Sequence, residues 1–180
     1  MKTEKLFIKP VFKILNFVFK NPTQEFYEKR VAENAKISVG ACNKYMKKLS
    51  EIGFLTKEKR GRMNFYKLNR ENPLVNQFKI LFTLDSILVR DIKEKIKEEV
   101  EVFLYGSFAR GEDVEESDFD ILLISGREEQ AKIITTLRNI GKKHGKNVRV
   151  VGFTRKEWIE TKKKDPAFYE RVEKDKIRLV

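Results

Sequence analysis

The sequence predicts an α+β protein with two domains. Residues 1–70 show apolar residues at helical spacing, followed by two short β-rich runs around a glycine. From residue 100 onward, β-rich runs alternate with helical ones, which is typical of helices packed on a mixed sheet. With 180 residues, of which 41% are hydrophobic, the chain can bury a core in each domain.

Positive charge is concentrated in the first half of the chain. Residues 1–90 contain 19 Lys and Arg against 8 Asp and Glu, whereas residues 91–180 contain 20 against 19. The formal net charge of +12 therefore belongs almost entirely to the first half. This asymmetry is expected when one domain faces a polyanion and the other has a different role.

Several protein classes are excluded by composition. No apolar run approaches the ~20 residues that a membrane-spanning helix requires, because polar or charged residues interrupt each candidate. The opening segment has Lys9 and Lys13 among its apolar residues and no small-residue cleavage site, so we expect a cytoplasmic protein with no membrane partner. Cys42 is the only cysteine, which excludes an internal disulfide and favours a role in helix packing.

Three helices and a hairpin are predicted in the first half. Residues 11–18 carry apolar side chains on one helical face, and residues 24–36 suggest a second, brief helix. Ser38 is a suitable N-cap for a third amphipathic helix, and Gly53 stands where its C-terminus favours a left-handed residue. The runs "FLTKEK" and "NFYKLN" around Arg60-Gly61-Arg62 predict a β-hairpin.

These three helices and the hairpin follow one another in an order that is typical of a known superfamily. The segment "AENAKISVGACNKYMKKLSEIGFLTKEKRGRMNFYKLN" resembles the winged helix-turn-helix DNA-binding superfamily, over roughly residues 8–70. In that superfamily the third helix enters the major groove and the hairpin contacts the backbone. The resemblance implies double-stranded DNA as a partner, contacted by Asn43, Lys44 and Lys47 on the third helix and by Arg60 and Arg62 at the hairpin tip. A solvated charged face and a winged helix used for protein contact are the competing interpretations.

Residues 1–72 are thus assigned to a DNA-binding domain. A further helix begins at Asn72-Pro73, and residues 73–90 are expected to form a helical linker or the contact of a homodimer. Another helical stretch, residues 86–99, leads into a second domain assigned to residues 91–180.

The segment "GSFARGEDVEESDFDILLI" holds the residues best suited to chemistry. Gly106 and Ser107 stand at a predicted strand-to-helix turn, where free backbone N–H groups favour a phosphate. Asp118 and Asp120 lie two apart on a predicted strand, so their carboxylates project from the same side and can bind divalent ions. Phe119 between them is expected to point into the core.

This segment resembles the Gly-Ser, Ala-Arg-Gly, Ser-Asp-x-Asp signature of the minimal nucleotidyltransferases in the polymerase beta superfamily, over roughly residues 91–155. The resemblance implies that Gly106 and Ser107 hold a nucleoside triphosphate and that the catalytic Asp118 and Asp120 bind Mg²⁺ or Mn²⁺. It also implies that Arg110 and Ser117 support the loop. The implied reaction transfers a nucleoside monophosphate from a triphosphate, with ATP the expected donor. The implied acceptor is a protein hydroxyl, as in antitoxins that modify a partner toxin, or a small molecule.

One departure from the family pattern suggests an alternative function for the protein. Active members carry a third carboxylate on a neighbouring strand, and Arg149 aligns with that position. A cation there weakens metal binding unless it turns away or contacts phosphate. Four acids in the loop, Glu112, Asp113, Glu115 and Glu116, are either a substitute for the third carboxylate or a solvated acidic loop. The alternative function is a transcription regulator whose degenerate nucleotidyltransferase-like domain only binds nucleotide or a partner protein.

Other conspicuous residues favour structural roles. His144 has no second histidine or cysteine near it in the sequence, so a metal role is disfavoured. Trp158 is expected to anchor the core. The run Lys162 to Lys164 is expected to face solvent, with contact to nucleic acid as the less favoured alternative.

Overall fold

The structure is a computed structural model, and it describes residues 3–96 and 99–180. The described chain divides into two compact units. The first unit extends to Phe82 and also includes residues 113–116, and the second comprises Thr83–Glu112 and Ser117–Val180. None of the helices in the described ranges is both long enough and apolar enough to cross a membrane.

Helices outnumber strands in the first unit. Its elements are a 3₁₀ turn (Thr3–Leu6), α1 (Lys9–Lys20), β1 (Glu25–Tyr27), α2 (Glu28–Ala35), α3 (Val39–Glu51), β2 (Leu55–Arg60), β3 (Met63–Leu68) and α4 (Pro73–Leu84), whose last two residues lie beyond Phe82. The three predicted helices, the hairpin and the helix starting at Pro73 are confirmed. The strand β1 was not predicted.

Helix α3 forms for the reasons that the sequence suggested. The Ser38 side chain caps its N-terminus by accepting a hydrogen bond from the backbone N–H of Ala41 at 3.2 Å. Cys42 and Met46, one turn apart, are fully buried, so the cysteine does pack a helix. Gly53 follows the helix with φ of +76°, a backbone conformation that glycine adopts without steric cost.

The sheet of the first unit has the order β1-β3-β2 and is antiparallel throughout. Tyr66 of β3 pairs with Lys57 of β2 on one side and with Phe26 of β1 on the other. Both aromatic side chains are 1% exposed. Because β1 has only three residues, its apolar pattern is too short to predict a strand, and its conformation depends on pairing with β3.

Helix α4 contributes to the core of this unit. Val75 is fully buried in the cluster formed by α1, α2, α3 and the sheet, and Phe78 and Phe82 pack against the same cluster. The ring of Phe82 stacks on Phe12 of α1 with centroids 5.0 Å apart. The linker and dimer-contact roles of residues 73–90 remain predictions.

A buried ion pair lies in the first unit. The Nζ atom of Lys79 is 3.1 Å from Oδ1 of Asp113, and it also donates a hydrogen bond to the Asp113 backbone oxygen at 2.5 Å. The lysine side chain is 3% exposed and the aspartate side chain 8%. Burial lowers the pKa of Lys79, and the neighbouring Asp113 opposes that effect.

The second unit contains five helices and four strands in its described residues. They are α5 (Ile87–Lys95), β4 (Glu101–Tyr105), α6 (Ser107–Arg110), β5 (Phe119–Ile124), α7 (Arg127–Lys143), β6 (Val148–Phe153), α8 (Arg155–Lys164), α9 (Pro166–Asp175) and β7 (Ile177–Arg178). The sheet order is β6-β5-β4-β7. Strands β5 and β6 are parallel and the other pairs antiparallel, so the predicted mixed sheet is confirmed.

Helices cover both faces of this sheet. Along β5, Ile121 and Leu123 face the cluster that includes residues of α5 and α7. Leu122 and Ile124, which alternate with them, face a second cluster that includes Trp158 of α8 and Val172 of α9. Alternate residues of a strand point to opposite faces, so a strand that is covered twice is apolar almost throughout.

Three details of the second unit differ from the sequence-based prediction. Helix α5 ends at Lys95 rather than near residue 99, and two residues of that predicted helix, Lys97 and Glu98, lie outside the described residues. The two-residue strand β7 was not predicted. Asp118 lies immediately before β5 rather than on it, because the pairing of β5 with β6 begins at Phe119.

The buried ion pair gives a stability prediction. Lys79→Met removes the cation and leaves the Asp113 carboxylate buried without its counter-charge. We expect the free energy of unfolding, measured by urea denaturation at pH 7, to fall by about 3–5 kcal/mol. The double variant Lys79→Met/Asp113→Asn is the control, and it should recover part of this loss. Equal losses in the single and double variants would contradict an electrostatic origin.

Candidate functional site

The Gly106 turn joins β4 to the short helix α6. Gly106 has φ of +75° and its backbone oxygen accepts hydrogen bonds from the N–H groups of Ala109 and Arg110. Ser107 follows as the first residue of α6. The predicted strand-to-helix turn is therefore present. The left-handed conformation of Gly106 turns the chain sharply at the end of β4.

Asp120 lies directly against this turn. It pairs with Tyr105 across the antiparallel strands β4 and β5. A Cβ atom added to Gly106 would come within 2.5 Å of Oδ2 of Asp120, so only glycine leaves room for the carboxylate. Burial raises the pKa of Asp120, and the neighbouring Asp118 adds to this effect. Arg149, Arg171 and Arg110 favour the carboxylate and oppose the rise in pKa.

Both carboxylate oxygens of Asp118 are engaged by residues at the start of β6. Its Oδ1 accepts a hydrogen bond from the side-chain amide of Asn147 at 2.7 Å. Its Oδ2 is 2.6 Å from a guanidinium nitrogen of Arg149. The Asp118 side chain is 20% exposed and that of Arg149 is 68% exposed. The ion pair therefore lies at the protein surface, where its energy is reduced by water and salt.

The strand register puts Arg149 beside Asp120. Strands β5 and β6 are parallel, and Asp120 and Arg149 are partners in that pairing. Within the described ranges, no group of three or more acidic, histidine or cysteine side chains could hold a metal ion. A third carboxylate is thus not present among the described residues near Asp118 and Asp120, and a cation lies at the corresponding place.

Three of the four acids in the preceding loop, Glu112, Asp113 and Glu115, have other partners. Glu112 forms an ion pair with Arg110 at 2.7 Å. Asp113 and Glu115 belong to the first unit, where Asp113 pairs with Lys79 and Glu115 accepts hydrogen bonds from Thr23. These contacts occupy the three acids, and Glu116 is exposed and belongs to no metal-holding group among the described residues, so replacement of the third carboxylate by a loop acid finds no support.

Arg110 and Ser117 flank the site. Arg110, the last residue of α6, contacts Asp175 at the end of α9 at 2.9 Å as well as Glu112. Hydrogen bonds from Arg110 to these two carboxylates raise the pKa of its guanidinium group, which therefore stays protonated. Ser117 is partly buried directly before Asp118. The ion pair with Asp175 ties α6 to α9, which is consistent with a supporting role for Arg110.

Arg171 is a site residue that the sequence did not reveal. It lies on α9, far along the chain from the Gly106 turn, and its charge acts on both Asp120 and Tyr105. No motif surrounds it, so only the packing of α9 on the sheet relates it to the carboxylates. Arg171 and Arg149 together make the surroundings of Asp120 cationic.

Asp118 and Asp120 fit a magnesium ion that is shared with a phosphate ligand. Mg²⁺ prefers oxygen ligands and is commonly held by one or two carboxylates together with substrate phosphates and water. The carboxylate of Asp120 occupies the space where a side chain at Gly106 would lie, so it is beside the turn where phosphate is expected. Binding of the metal at Asp118 requires that Oδ2 exchange Arg149 for the ion.

The candidate DNA-contacting residues of the first unit are exposed, but they differ in their partners. Asn43, Lys44 and Lys47 lie on the exposed face of α3. Arg60 at the end of β2 is held by the carboxylates of Glu58 and Glu25, which raise its pKa further. Arg62 is exposed in the hairpin turn.

The remaining conspicuous residues have structural surroundings. Burial raises the pKa of the Cys42 thiol to about 11, so it is unreactive near neutral pH. His144 contacts Asp91 at 2.9 Å. Trp158 is 2% exposed and its indole N–H donates to Glu173. The run of residues 162–164 is exposed at the end of α8, as expected.

Comparison with known proteins assigns the second unit to a class. Residues 86–179 match the nucleotidyltransferase domain family. The match covers more than half of the chain, and the protein belongs to this family. Domains of this family carry out nucleotidyl transfer in general, using nucleoside triphosphates and divalent metals. No curated protein matches the sequence.

The crowding at Gly106 can be tested against a second glycine. Gly145 also has a positive φ, +65°, but an added Cβ would meet nothing within 4 Å. Gly145→Ala should therefore lower the free energy of unfolding only by the cost of its positive φ, about 1–2 kcal/mol. Gly106→Ala should lower it by a further ~1–3 kcal/mol, because Gly106 combines φ of +75° with ψ of −154°, a conformation nearly restricted to glycine, and because the added Cβ displaces the Asp120 carboxylate. Thermal denaturation of the two variants checks this, and equal losses would show that the contact with Asp120 is unimportant.

Proposed function

We propose that the protein is a DNA-binding nucleotidyltransferase that transfers a nucleoside monophosphate from a triphosphate, with ATP the expected donor. The observation that carries the proposal is the contact between the Gly106 turn and the carboxylate of Asp120, with Asp118 two residues away. This arrangement supports the proposal because it brings two carboxylates beside a turn suited to phosphate, in a chain that belongs to the nucleotidyltransferase family.

Each residue of the site has a role in this proposal. The Gly106 turn and the Ser107 hydroxyl hold the triphosphate by donating hydrogen bonds to its oxygens. Asp118 and Asp120 hold Mg²⁺ or Mn²⁺, which neutralises charge on the phosphates. Arg110 and Ser117 support the loop between α6 and β5. Burial of Asp120 raises its pKa, and a bound cation would restore the preference for the ionised form.

The transfer is a substitution at the α-phosphorus. An acceptor hydroxyl oxygen forms a bond to that phosphorus while the bond to the leaving pyrophosphate breaks, and the hydroxyl proton passes to solvent. The acceptor is proposed to be a protein hydroxyl, such as that of a partner toxin, or a small molecule. No third carboxylate is present near Asp118 and Asp120 among the described residues, so those residues do not supply the usual group for activating the hydroxyl.

A regulatory function is the second candidate, and one observation favours it. The guanidinium of Arg149 is 2.6 Å from Oδ2 of Asp118, where it competes with a metal ion for the same oxygen. If nucleotide binding cannot displace Arg149, the domain binds nucleotide or a partner protein without transfer. The protein would then be a transcription regulator with a degenerate nucleotidyltransferase-like domain.

DNA binding is proposed for the first unit. The order of α1, α2, α3 and the β2–β3 hairpin supports the resemblance to a winged helix-turn-helix, with β1 completing a three-stranded sheet. In that arrangement Asn43, Lys44 and Lys47 would contact the major groove. Arg62 would contact backbone phosphate at the hairpin tip. Arg60 would do so only by exchanging Glu58 and Glu25 for phosphate.

The nucleotide site is tested by calorimetric titration of ATP with Mg²⁺. We expect saturable binding to the wild type and its loss in Asp118→Asn/Asp120→Asn, because the variant lacks both metal ligands. Arg149→Ala separates the two candidate functions. A weaker response to Mg²⁺–ATP in this variant indicates that Arg149 contacts phosphate, as transfer requires, and a stronger response indicates that Arg149 blocks the metal position. Absence of Mg²⁺–ATP binding to the wild type would contradict the transferase and leave a regulator whose second unit contacts a partner protein.

The DNA interface is tested by the salt dependence of affinity for duplex DNA. Each lost phosphate contact should reduce the slope of log K against log salt by about 0.9. Lys44→Gln/Arg62→Ala should therefore flatten the slope. The control is Lys132→Gln/Lys156→Gln, which removes the same charge from exposed positions of the second unit. Equal slopes for the two double variants would exclude α3 and the hairpin tip from the interface.

A further inference from the structure

A cavity in the second unit, open to solvent on one side and lined mostly by exposed residues, lies beside the candidate site. Its volume is about 340 Å³ and it lies where α7 ends and β6 begins. The size falls at the lower end of the range for small-ligand pockets, roughly 300–1,000 Å³. The lining residues are Arg138, Lys142, Gly145, Lys146, Asn147 and Val148.

The charge of this lining is entirely positive. Arg138, Lys142 and Lys146 contribute three cations, and no carboxylate lines the cavity. Arg138 and Lys142 are four residues apart on α7, so they lie on one face of the helix and repel each other. Neither forms an ion pair in the described part of the chain, whereas Lys143, the last residue of α7, pairs with Asp91.

Helix stability explains only part of this pattern. A cation in the last turn of a helix is favoured by the helix dipole, and this accounts for Lys142. Arg138 lies more than one turn before the end of α7, beyond the reach of that effect. An anion in the cavity would attract both cationic side chains and so offset the repulsion between them.

The cavity adjoins both halves of the candidate site. Asn147 lines it and also donates a hydrogen bond to Asp118 at 2.7 Å. Lys146 lines it and lies over the ring of Phe108, the residue after Ser107, with its Nζ 5.2 Å from the ring centroid. The backbone N–H of Lys146 donates to the Gly141 oxygen at 2.9 Å, which fixes the loop. A ligand held here lies next to the carboxylates and to α6.

We propose that this cavity is an acceptor subsite that binds a phosphate group of the molecule receiving the nucleotidyl group. The inference rests on the proposed function and adds the chemical class of the acceptor, a phosphate ester. Arg138 and Lys142 bind the phosphate oxygens, and Asn147 connects the subsite to Asp118. A phosphorylated small molecule and a nucleic-acid strand share this chemistry.

The test follows the backbone amides of Gly145 and Asn147 by NMR during titration of the full chain with ribose 5-phosphate. We expect saturable shifts at these amides. Arg138→Gln/Lys142→Gln should weaken binding by at least about tenfold, or about 1.4 kcal/mol. The charge-matched control Lys132→Gln/Lys163→Gln should change it less than about twofold, because neither lysine lines the cavity. Equal weakening in both variants, or no saturable shift in the wild type, overturns the proposal.

Two further titrations separate this site from the nucleotide site. Asp118→Asn/Asp120→Asn should still bind ribose 5-phosphate, whether or not Mg²⁺–ATP binding depends on these aspartates. Loss of ribose 5-phosphate binding in that variant, or its displacement by saturating Mg²⁺–ATP, would place the ligand in the nucleotide site and overturn the acceptor role.

A ten-residue RNA then identifies the source of the phosphate. Tighter binding of the RNA than of ribose 5-phosphate at the Gly145 and Asn147 amides supports the subsite with a nucleic-acid acceptor. Binding of ribose 5-phosphate that equals or exceeds that of the RNA at these amides supports it with a small-molecule acceptor.

Discussion

Pairing of β5 with both of its neighbours is the constraint on which the candidate site depends. On one side β5 is antiparallel to β4, which brings Asp120 against the Gly106 turn. On the other side it is parallel to β6, which brings Arg149 beside Asp120. Leu122 and its neighbours fill both faces of the sheet, so a shift of register would expose this apolar strand. The core of the second unit therefore fixes the positions of charged groups at the end of the sheet.

The electrostatics of the site are balanced between opposing charges. Burial raises the pKa of Asp120, and the charge of the neighbouring Asp118 raises it further. In this structure Arg149 neutralises Asp118 through the ion pair at 2.6 Å, and Arg171 acts on Asp120 from α9. A divalent ion would satisfy the same carboxylates. In the proposed function Arg149 would exchange the carboxylate of Asp118 for the phosphate of a bound nucleotide, and whether it does so distinguishes a transferase from a regulator.

The first unit is stabilised by an apolar core and by one buried charge pair. Val75 of α4 completes the core, while Lys79 on the same helix brings an ammonium group into a region that excludes water. Asp113 provides the counter-charge. Each charge depends on the other, because either one alone would be buried without water or a partner. Residues 113–116 come from the loop between α6 and β5, yet they pack as part of the first unit. Sequence distance hides this relation, since Lys79 and Asp113 are 34 positions apart.

The elements whose causes are local could be predicted from the amino-acid sequence alone. The Ser38 cap, the apolar spacing of α3, the glycine after it and the Gly-Ser and Asp-x-Asp segments are all readable because each depends on residues within a few positions. The short strands and the neighbours of the charged groups depend on contacts between distant parts of the chain. The short strands β1 and β7 exist through pairing with distant strands, and Arg171 approaches Asp120 only because α9 packs on the sheet. The contact of Arg149 with Asp118 and the basic cavity also required the fold, because long-range pairing decides which charges become neighbours.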